Sequence, residues 1–369
     1  MNKIFTLLSL WALGTVPVFS QLTNETISIN GVSRSYKLYV PAGFNAQTES
    51  PDMIIIMHGL GGTNADMVAA GFNNIADTAR VITVYPQALN NSFGMAAWNN
   101  GTLLGSTADD IGFMHALINR GLTDFNVNPA RVYASGFSMG SIMSHHMACS
   151  MNNRIAAIGA MSGTMATSDI SSCVPAYKTP VIHLHGTADG TVPYSGTALP
   201  SLSLVSQTMD FWKGVHGCAA TADSTRLPDT GTDTITVDRF VYDNCNPVGS
   251  LELWRFNGAG HVYLYKPVND IEEMIEVWWF LSRWSHPNPS TLDVAEASEN
   301  LFQISPNPSN GILKITSNFA GEVQLVDLNG SLVSEQRISQ GVTELDFSSV
   351  KKGIYLIRVG TKTTKMVLN

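Results

Sequence analysis

Gly136-Phe137-Ser138-Met139-Gly140 sets one serine between two glycines. It follows the β-branched and aromatic run 131–135 and opens an apolar stretch that reaches Cys149. Strand, G-x-S-x-G, helix is the context of a nucleophile elbow. The glycines let strand and helix approach closely, and the sharp turn lifts the Ser138 hydroxyl clear of the sheet edge. A serine hydroxyl is a poor nucleophile until a base takes its proton and an acid orients that base. Both partners follow in the chain. Asp189 stands just past the apolar run 181–185, in Gly186-Thr187-Ala188-Asp189-Gly190. His261 follows the strand-like run 251–256 and the loop Asn257-Gly258-Ala259-Gly260. The chemistry such a set performs is acyl transfer. Ser138 attacks a carbonyl, His261 moves the proton to the leaving group, and Asp189 fixes the imidazole's tautomer and stabilises its charged form.

Other residues compete for these roles. Asp189 could cap a turn, as aspartates often do. Asp109 and Asp110 precede Ser138 and begin a helical stretch, where acids suit the helix dipole. His183 and His185 alternate along a strand, and His145 and His146 lie on the helix after the serine. Neither pair has a third ligand at a convincing spacing, so no metal and no cofactor is expected. No cysteine sits in a glycine elbow. The run Met53–Met57 ends in His58-Gly59-Leu60-Gly61-Gly62. A glycine-rich loop there can aim backbone N–H groups at a developing oxyanion, and the expected donors are Leu60 and Met139. Trp98 is placed in the substrate cleft, against the alternative of a core tryptophan. The segments 87–104 and 190–242 are expected to shape the acyl pocket.

Positioning these groups requires strands that end on one edge. Apolar runs at 53–57, 81–85, 132–135, 155–161, 181–185 and 251–256 alternate with helical patterns at 64–79, 108–120, 139–150, 203–215 and 270–284. A hairpin around Asn30-Gly31 precedes them. Continuously apolar strands separated by helices predict an α/β fold, with a mostly parallel sheet covered by helices on both faces. The reactive residues then gather at the carboxyl ends of its strands.

Together these residues resemble the extracellular poly(3-hydroxybutyrate) depolymerase and feruloyl esterase group of α/β-hydrolases. The matching stretches are Arg34-Ser35-Tyr36-Lys37-Leu38-Tyr39-Val40-Pro41, His58-Gly59, Asp109-Asp110-Ile111-Gly112-Phe113, the serine elbow, His185-Gly186-Thr187-Ala188-Asp189 and Gly258-Ala259-Gly260-His261. The resemblance covers about residues 25 to 285. It implies an α/β-hydrolase fold and carboxylic ester hydrolysis through an acyl-enzyme. It also implies a polymer-linked substrate, either feruloyl or acetyl esters of xylan or a polyhydroxybutyrate-type polyester. The group often has Trp-Pro just after the histidine. Here the chain reads His261-Val262-Tyr263-Leu264, and Tyr263 is expected to take the aromatic place beside the cleft. Two alternatives stand beside the esterase. One is a surface-binding protein on a retired hydrolase fold, against which the intact catalytic set argues. The other is a serine peptidase, for which no acidic pair that could hold a free amine is identifiable.

The 369-residue chain carries a formal charge of −8 without a basic cluster, which argues against nucleic acid as a partner. Residues 1–20 join a lysine, a short apolar run and small residues before Gln21, the pattern of a signal peptide. No segment of the mature chain is long and apolar enough to predict a membrane span. The four cysteines, Cys149, Cys173, Cys218 and Cys245, suit an oxidising compartment. Four cysteines allow three pairings. The resemblance implies Cys149–Cys173 and Cys218–Cys245. The catalytic domain is expected over 21–285 and a proline- and serine-rich linker over 286–301. A small β-sandwich is expected over 302–369, with strands at 312–316, 323–327, 343–347 and 354–359.

That tail resembles the C-terminal sorting domain of the Bacteroidetes type IX secretion system. The matching features are Pro306-Asn307-Pro308, Val326-Asp327-Leu328-Asn329-Gly330 and Lys352-Gly353-Ile354-Tyr355-Leu356-Ile357-Arg358-Val359. The resemblance implies type IX machinery as a partner and export through the periplasm to the outside or the cell surface. A substrate-binding module is the alternative. It usually needs exposed aromatics, and this tail has no tryptophan.

Overall fold

The structure, a computed structural model, describes residues 21–291, 302–317, 320–327, 331–359 and 362–369. The expected signal peptide, most of the linker and the turn at Asn329-Gly330 lie outside the described residues. The chain divides into two compact units, Met1–Asp293 and Val294–Asn369.

The first unit is built on a ten-stranded sheet. Its strands in chain order are β1 (Leu22–Ile29), β2 (Val32–Tyr39), β3 (Asp52–Met57), β4 (Val81–Pro86) and β5 (Val132–Phe137). They continue with β6 (Ala157–Met161), β7 (Val181–Gly186), β8 (Ala222–Arg226), β9 (Thr236–Tyr242) and β10 (Leu251–Asn257). The spatial order is β1-β2-β4-β3-β5-β6-β7-β10-β9-β8. The six strands from β4 to β10 in that order run parallel. The hairpins β1–β2 and β8–β9 extend it antiparallel at either edge. The helices are α1 (Asn64–Ala69), α2 (Asn73–Ala79), α3 (Asp110–Phe125), α4 (Met139–Ser150), α5 (Thr167–Ser172), α6 (Val205–His216) and α7 (Glu273–Leu281).

The central strands read as unbroken apolar runs because both faces are covered. Along β3, Met53, Ile55 and Met57 join one core, with Phe113, Leu117, Met143 and Trp212. Ile54 and Ile56 join the other, with Phe72, Val277 and Trp278. Asp109 caps α3, its side chain accepting from the Gly112 N–H. Arg34 on β2 and Asp110 at the start of α3 form a fully buried ion pair 2.5 Å apart, and Asp110 also accepts from the Asn99 N–H at 2.7 Å. These acids are thus committed to tying β2, α3 and the 99–108 loop together.

Two expected helices and the start of the expected linker differ from the sequence expectation. The helix expected over 64–79 is two helices, broken at Gly71, whose φ of +93° is left-handed. The closing helix is shorter than 270–284, because Asp270 is spent accepting from the Thr230 and Gly231 N–H groups instead. Residues 286–290 do not begin a free linker. His286 is buried and takes a backbone bond to Ala130, and Ser290 bonds to Asn153.

The second unit has seven strands among its described residues: β11 (Phe302–Ser305), β12 (Ile312–Ser317), β13 (Gly321–Val326), β14 (Leu332–Ile338), β15 (Gly341–Asp346), β16 (Gly353–Val359) and β17 (Lys362–Leu368). They form a three-stranded sheet, β11-β12-β15, and a four-stranded sheet, β14-β13-β16-β17. Alternate residues such as Leu313, Ile315, Val323, Leu325, Leu345 and Ile357 fill the core. Two-residue periodicity with one wet face is what an antiparallel layer requires.

Candidate active site

Ser138 sits between β5 and α4 with φ 56° and ψ −118°, a left-handed conformation that a non-glycine residue adopts at a cost. The surroundings impose it. A Cβ on Gly140 would overlap the Met57 carbonyl, and one on Gly136 would overlap the Gly140 backbone. The Ser138 N–H bonds to the Met161 carbonyl at 2.8 Å, which pins the elbow to β6.

Asp189 follows β7 and His261 follows β10, and these two strands are parallel neighbours. His261 Nδ1 lies 2.7 Å from Asp189 Oδ2. The other carboxylate oxygen accepts from the N–H groups of Thr191 and Val192, both at 2.8 Å. His185 Nε2 stands 3.3 Å from Oδ2. Burial alone would raise the carboxyl's pKa. Hydrogen bonds from His185, His261 and the Val192 N–H outweigh it and hold the group well below the ordinary carboxylate range. Asp189 is therefore ionised, and the hydrogen it accepts on Oδ2 leaves Nε2 of a neutral His261 as the free base.

The ring of Phe137, beside the serine, lies 4.7 Å from the His261 ring, centre to centre. Among the described residues the Ser138 hydroxyl makes no hydrogen bond. Such contacts are commonly long in unliganded hydrolases. A second Ser–His–Asp set also exists: Ser150 Oγ is 3.3 Å from His146 Nε2, and His146 Nδ1 is 3.0 Å from Asp169. It lies at the C-terminal end of α4, where exposed carbonyls oppose an oxyanion.

The loop after β3 is braced from behind. The Ala88 N–H donates to His58 Nε2 at 3.1 Å, so the hydrogen of that ring is on Nδ1, which donates to the Gly59 carbonyl at 2.7 Å. Burial lowers the pKa of His58 and keeps it neutral. A Cβ on Gly59 would stand 3.2 Å from Ser138 Cβ, so the loop runs directly over the elbow. Leu60 and Met139, the expected donors, both border the cleft at Ser138. Among the described residues neither backbone N–H is engaged by another group.

Trp98 does not line the cleft. It is fully buried, its ring tilted against that of His58 with centres 4.9 Å apart, and its Nε1 donates to the His58 carbonyl at 2.8 Å. An indole must satisfy its single N–H, and here the partner lies inside. Tyr263 lies against Phe137, ring centres 4.1 Å apart, and borders a separate open depression beside His261 that includes Asp66, Asn74, Lys266 and Glu272. The cleft at Ser138 encloses about 360 Å³. Its walls are apolar: Leu60, Leu104, Ile142, Val192, Leu199 and Leu202 among others, with no charged side chain. Sequence singled out only Leu60 of these. The others come from loops and a helix face without a periodic signal, although the two segments expected to shape the pocket supply most of them. The structure joins Cys149 to Cys173 and Cys218 to Cys245.

Residues 44–211 match the Phospholipase/Carboxylesterase family. The chain carries a carboxylesterase domain. Residues 303–369 match the secretion system C-terminal sorting domain, which marks the chain for export to the outside or the cell surface. Among the described residues no helix is long and apolar enough to cross a membrane. A bifunctional acetylxylan esterase/xylanase of Neocallimastix patriciarum is 25% identical over 285 residues, covering 76% of this chain and 37% of that protein. Feruloyl esterase B of Piromyces equi is 28% identical over 240 residues, covering 60% and 41%. The matched region thus spans about two fifths of the length of these two relatives. The solved acetyl xylan esterase from Aspergillus awamori superposes with a TM-score of 0.51 at 16% identity, over 71% of this chain and 99% of that one, a likeness of fold.

Proposed function

We propose that the esterase domain hydrolyses carboxylic esters with Ser138 as nucleophile, His261 as general base and acid, and Asp189 as its orienting carboxylate. The observation that carries this is the 2.7 Å contact between His261 and an ionised Asp189, one sheet strand apart, on the side of the sheet where Ser138 stands on its strained turn. Ser138 Oγ bonds to the ester carbon while its proton passes to His261 Nε2. The N–H groups of Leu60 and Met139 receive the oxyanion. The carbon–oxygen bond to the alcohol then breaks, and the alcohol leaves with the proton from His261. Water repeats the sequence to free the acid and restore Ser138.

The uncharged cleft supports a neutral, largely apolar acyl group. It offers nothing to hold a free amine, which weighs against a peptidase that reads a charged terminus. The polar depression beside His261 suits a hydroxyl-rich alcohol. With acetylxylan and feruloyl esterases among the relatives, these features favour acetyl or feruloyl esters on a cell-wall polysaccharide over a polyhydroxybutyrate-type polyester. The type IX secretion machinery would deliver the enzyme to that substrate through the tail.

The test uses the full chain beside Ser138→Ala on methyl ferulate, acetylated xylan and a polyhydroxybutyrate film. Cleavage of either of the first two, lost by several orders of magnitude in the variant, is expected. Film depolymerisation alone moves the substrate to polyester. An equally active Ser138→Ala removes the nucleophile assignment.

A further inference from the structure

Three fully buried histidines outside the proposed reaction form a line that ends at Asp189: His145, His183 and His185. Successive ring centres are 5.7 and 5.3 Å apart. Among the described residues no cluster has the makings of a metal site. Burial pushes the pKa of His145 down to about 3. It holds His183 well below its ordinary value, with help from the neighbouring imidazoles. Each of these two rings then carries one N–H.

The positions of the hydrogens follow from the ends of the line. An indole N–H can only donate. Trp212 Nε1 lies 3.1 Å from His145 Nδ1, so the hydrogen of His145 is on Nε2. At the other end His185 Nε2 faces two acceptors, the Val192 carbonyl at 2.8 Å and Asp189 Oδ2 at 3.3 Å, and must carry a hydrogen. In neutral His185, Nδ1 accepts, and His183 Nε2, 3.2 Å away, donates. His145 Nε2 and His183 Nδ1 are buried and have no hydrogen-bond partner, so the contact between these two rings is packing alone.

We infer that His185 is a positioning residue for Asp189, held in its Nε2–H tautomer by the two acceptors that face Nε2 and by the His183 ring at Nδ1. Its one hydrogen is shared between the Val192 carbonyl and the carboxylate, while the Val192 N–H binds the other carboxylate oxygen. The ring thus clamps the 189–192 turn as a unit and sets the plane of the carboxylate against His261. This rests on the reading of Ser138, Asp189 and His261 as a triad.

Two measurements on the full chain test it. In the wild type, imidazole ¹⁵N NMR should find His145, His183 and His185 all as Nε2–H tautomers. An Nδ1–H form at His185 overturns the inference. In kinetics with 4-nitrophenyl acetate, His185→Leu, which removes the donor, should lower kcat about 10- to 100-fold, as expected for losing a hydrogen bond to a charged group. KM should stay within about twofold, because the ring does not border the cleft. His185→Gln, which restores a donor near the Nε2 position, should recover most of kcat. A Leu variant with wild-type kcat, or a Gln variant as impaired as Leu, overturns the positioning role. If Ser138→Ala also keeps full activity, the triad reading itself has failed. If only Ser138→Ala is dead, the positioning inference alone is lost.

Discussion

His261 Nδ1 and Asp189 Oδ2 lie 2.7 Å apart although 72 residues separate them. The sheet brings them together, since β7 and β10 pair in parallel and each residue follows its strand by a few positions. Nothing local fixes the contact. It depends on Gly186, where a Cβ would overlap the Ala259 carbonyl, so that the two strand ends can close on one another.

Asp189→Asn should lower kcat by about 10⁴-fold while leaving the fold intact. The amide still fits, but its NH₂ can face His261 Nδ1 and turn the imidazole into the wrong tautomer. The check is kcat on 4-nitrophenyl acetate together with the far-ultraviolet circular dichroism. A folded variant within tenfold of wild type would remove Asp189 from the mechanism.

Trp98→Phe should weaken turnover without touching the substrate. The lost N–H leaves the buried His58 carbonyl unpartnered, at a cost of about 1–3 kcal/mol, and loosens the loop that carries Leu60. The fall in kcat should be smaller than the roughly 10²- to 10³-fold that deleting an oxyanion donor costs. An unchanged kcat with a KM raised only for bulky acyl esters would return Trp98 to the cleft wall.

The elbow at Ser138 was legible in the sequence because its geometry is local: five residues, a strand before and a helix after. Asp189 and His261 were legible because each closes an apolar strand and few side-chain types can serve. Trp98 was not, because a loop residue's type does not declare which side of the loop it faces. The hairpin β8–β9 was missed because β8 is exposed along almost its whole length and carries no apolar alternation. The apolar cleft was legible only as two segments. Leu60, Leu104, Ile142 and Leu202 come from four parts of the chain, and only the folded sheet places them around one serine.

Both disulfides should contribute to stability, each by about 2–4 kcal/mol. The bridged residues are 24 and 27 positions apart, so the closed loops are alike in length and so is the expected gain. Cys218–Cys245 should matter more for activity. It anchors the end of α6 beside the hairpin that extends the sheet, in the segment between Asp189 and His261. The measurement is urea unfolding and kcat/KM for Cys149→Ala/Cys173→Ala and Cys218→Ala/Cys245→Ala. Equal activity losses in the two double variants would contradict the asymmetry.

Glu273 should make the domain less stable as pH rises. It is wholly buried, accepts from the Leu264 N–H at 2.9 Å with one oxygen, and has no partner for the other. Burial, aided by the neighbouring charge of Glu272 and opposed by the Leu264 bond, raises its pKa to about 8. In the unfolded chain a glutamate titrates near 4.3. The folded state therefore holds a proton that the unfolded state releases. The stability conferred by the neutral carboxyl is fully present below about pH 4, declines as pH rises toward 8, and is gone above that. Glu273→Gln keeps an acceptor for Leu264 and cannot ionise. Its Tm should lie near the wild-type value at pH 5 and above it at pH 9. Parallel Tm profiles for the two proteins would mean that Glu273 is already charged in the fold, and that an unrecognised partner holds it.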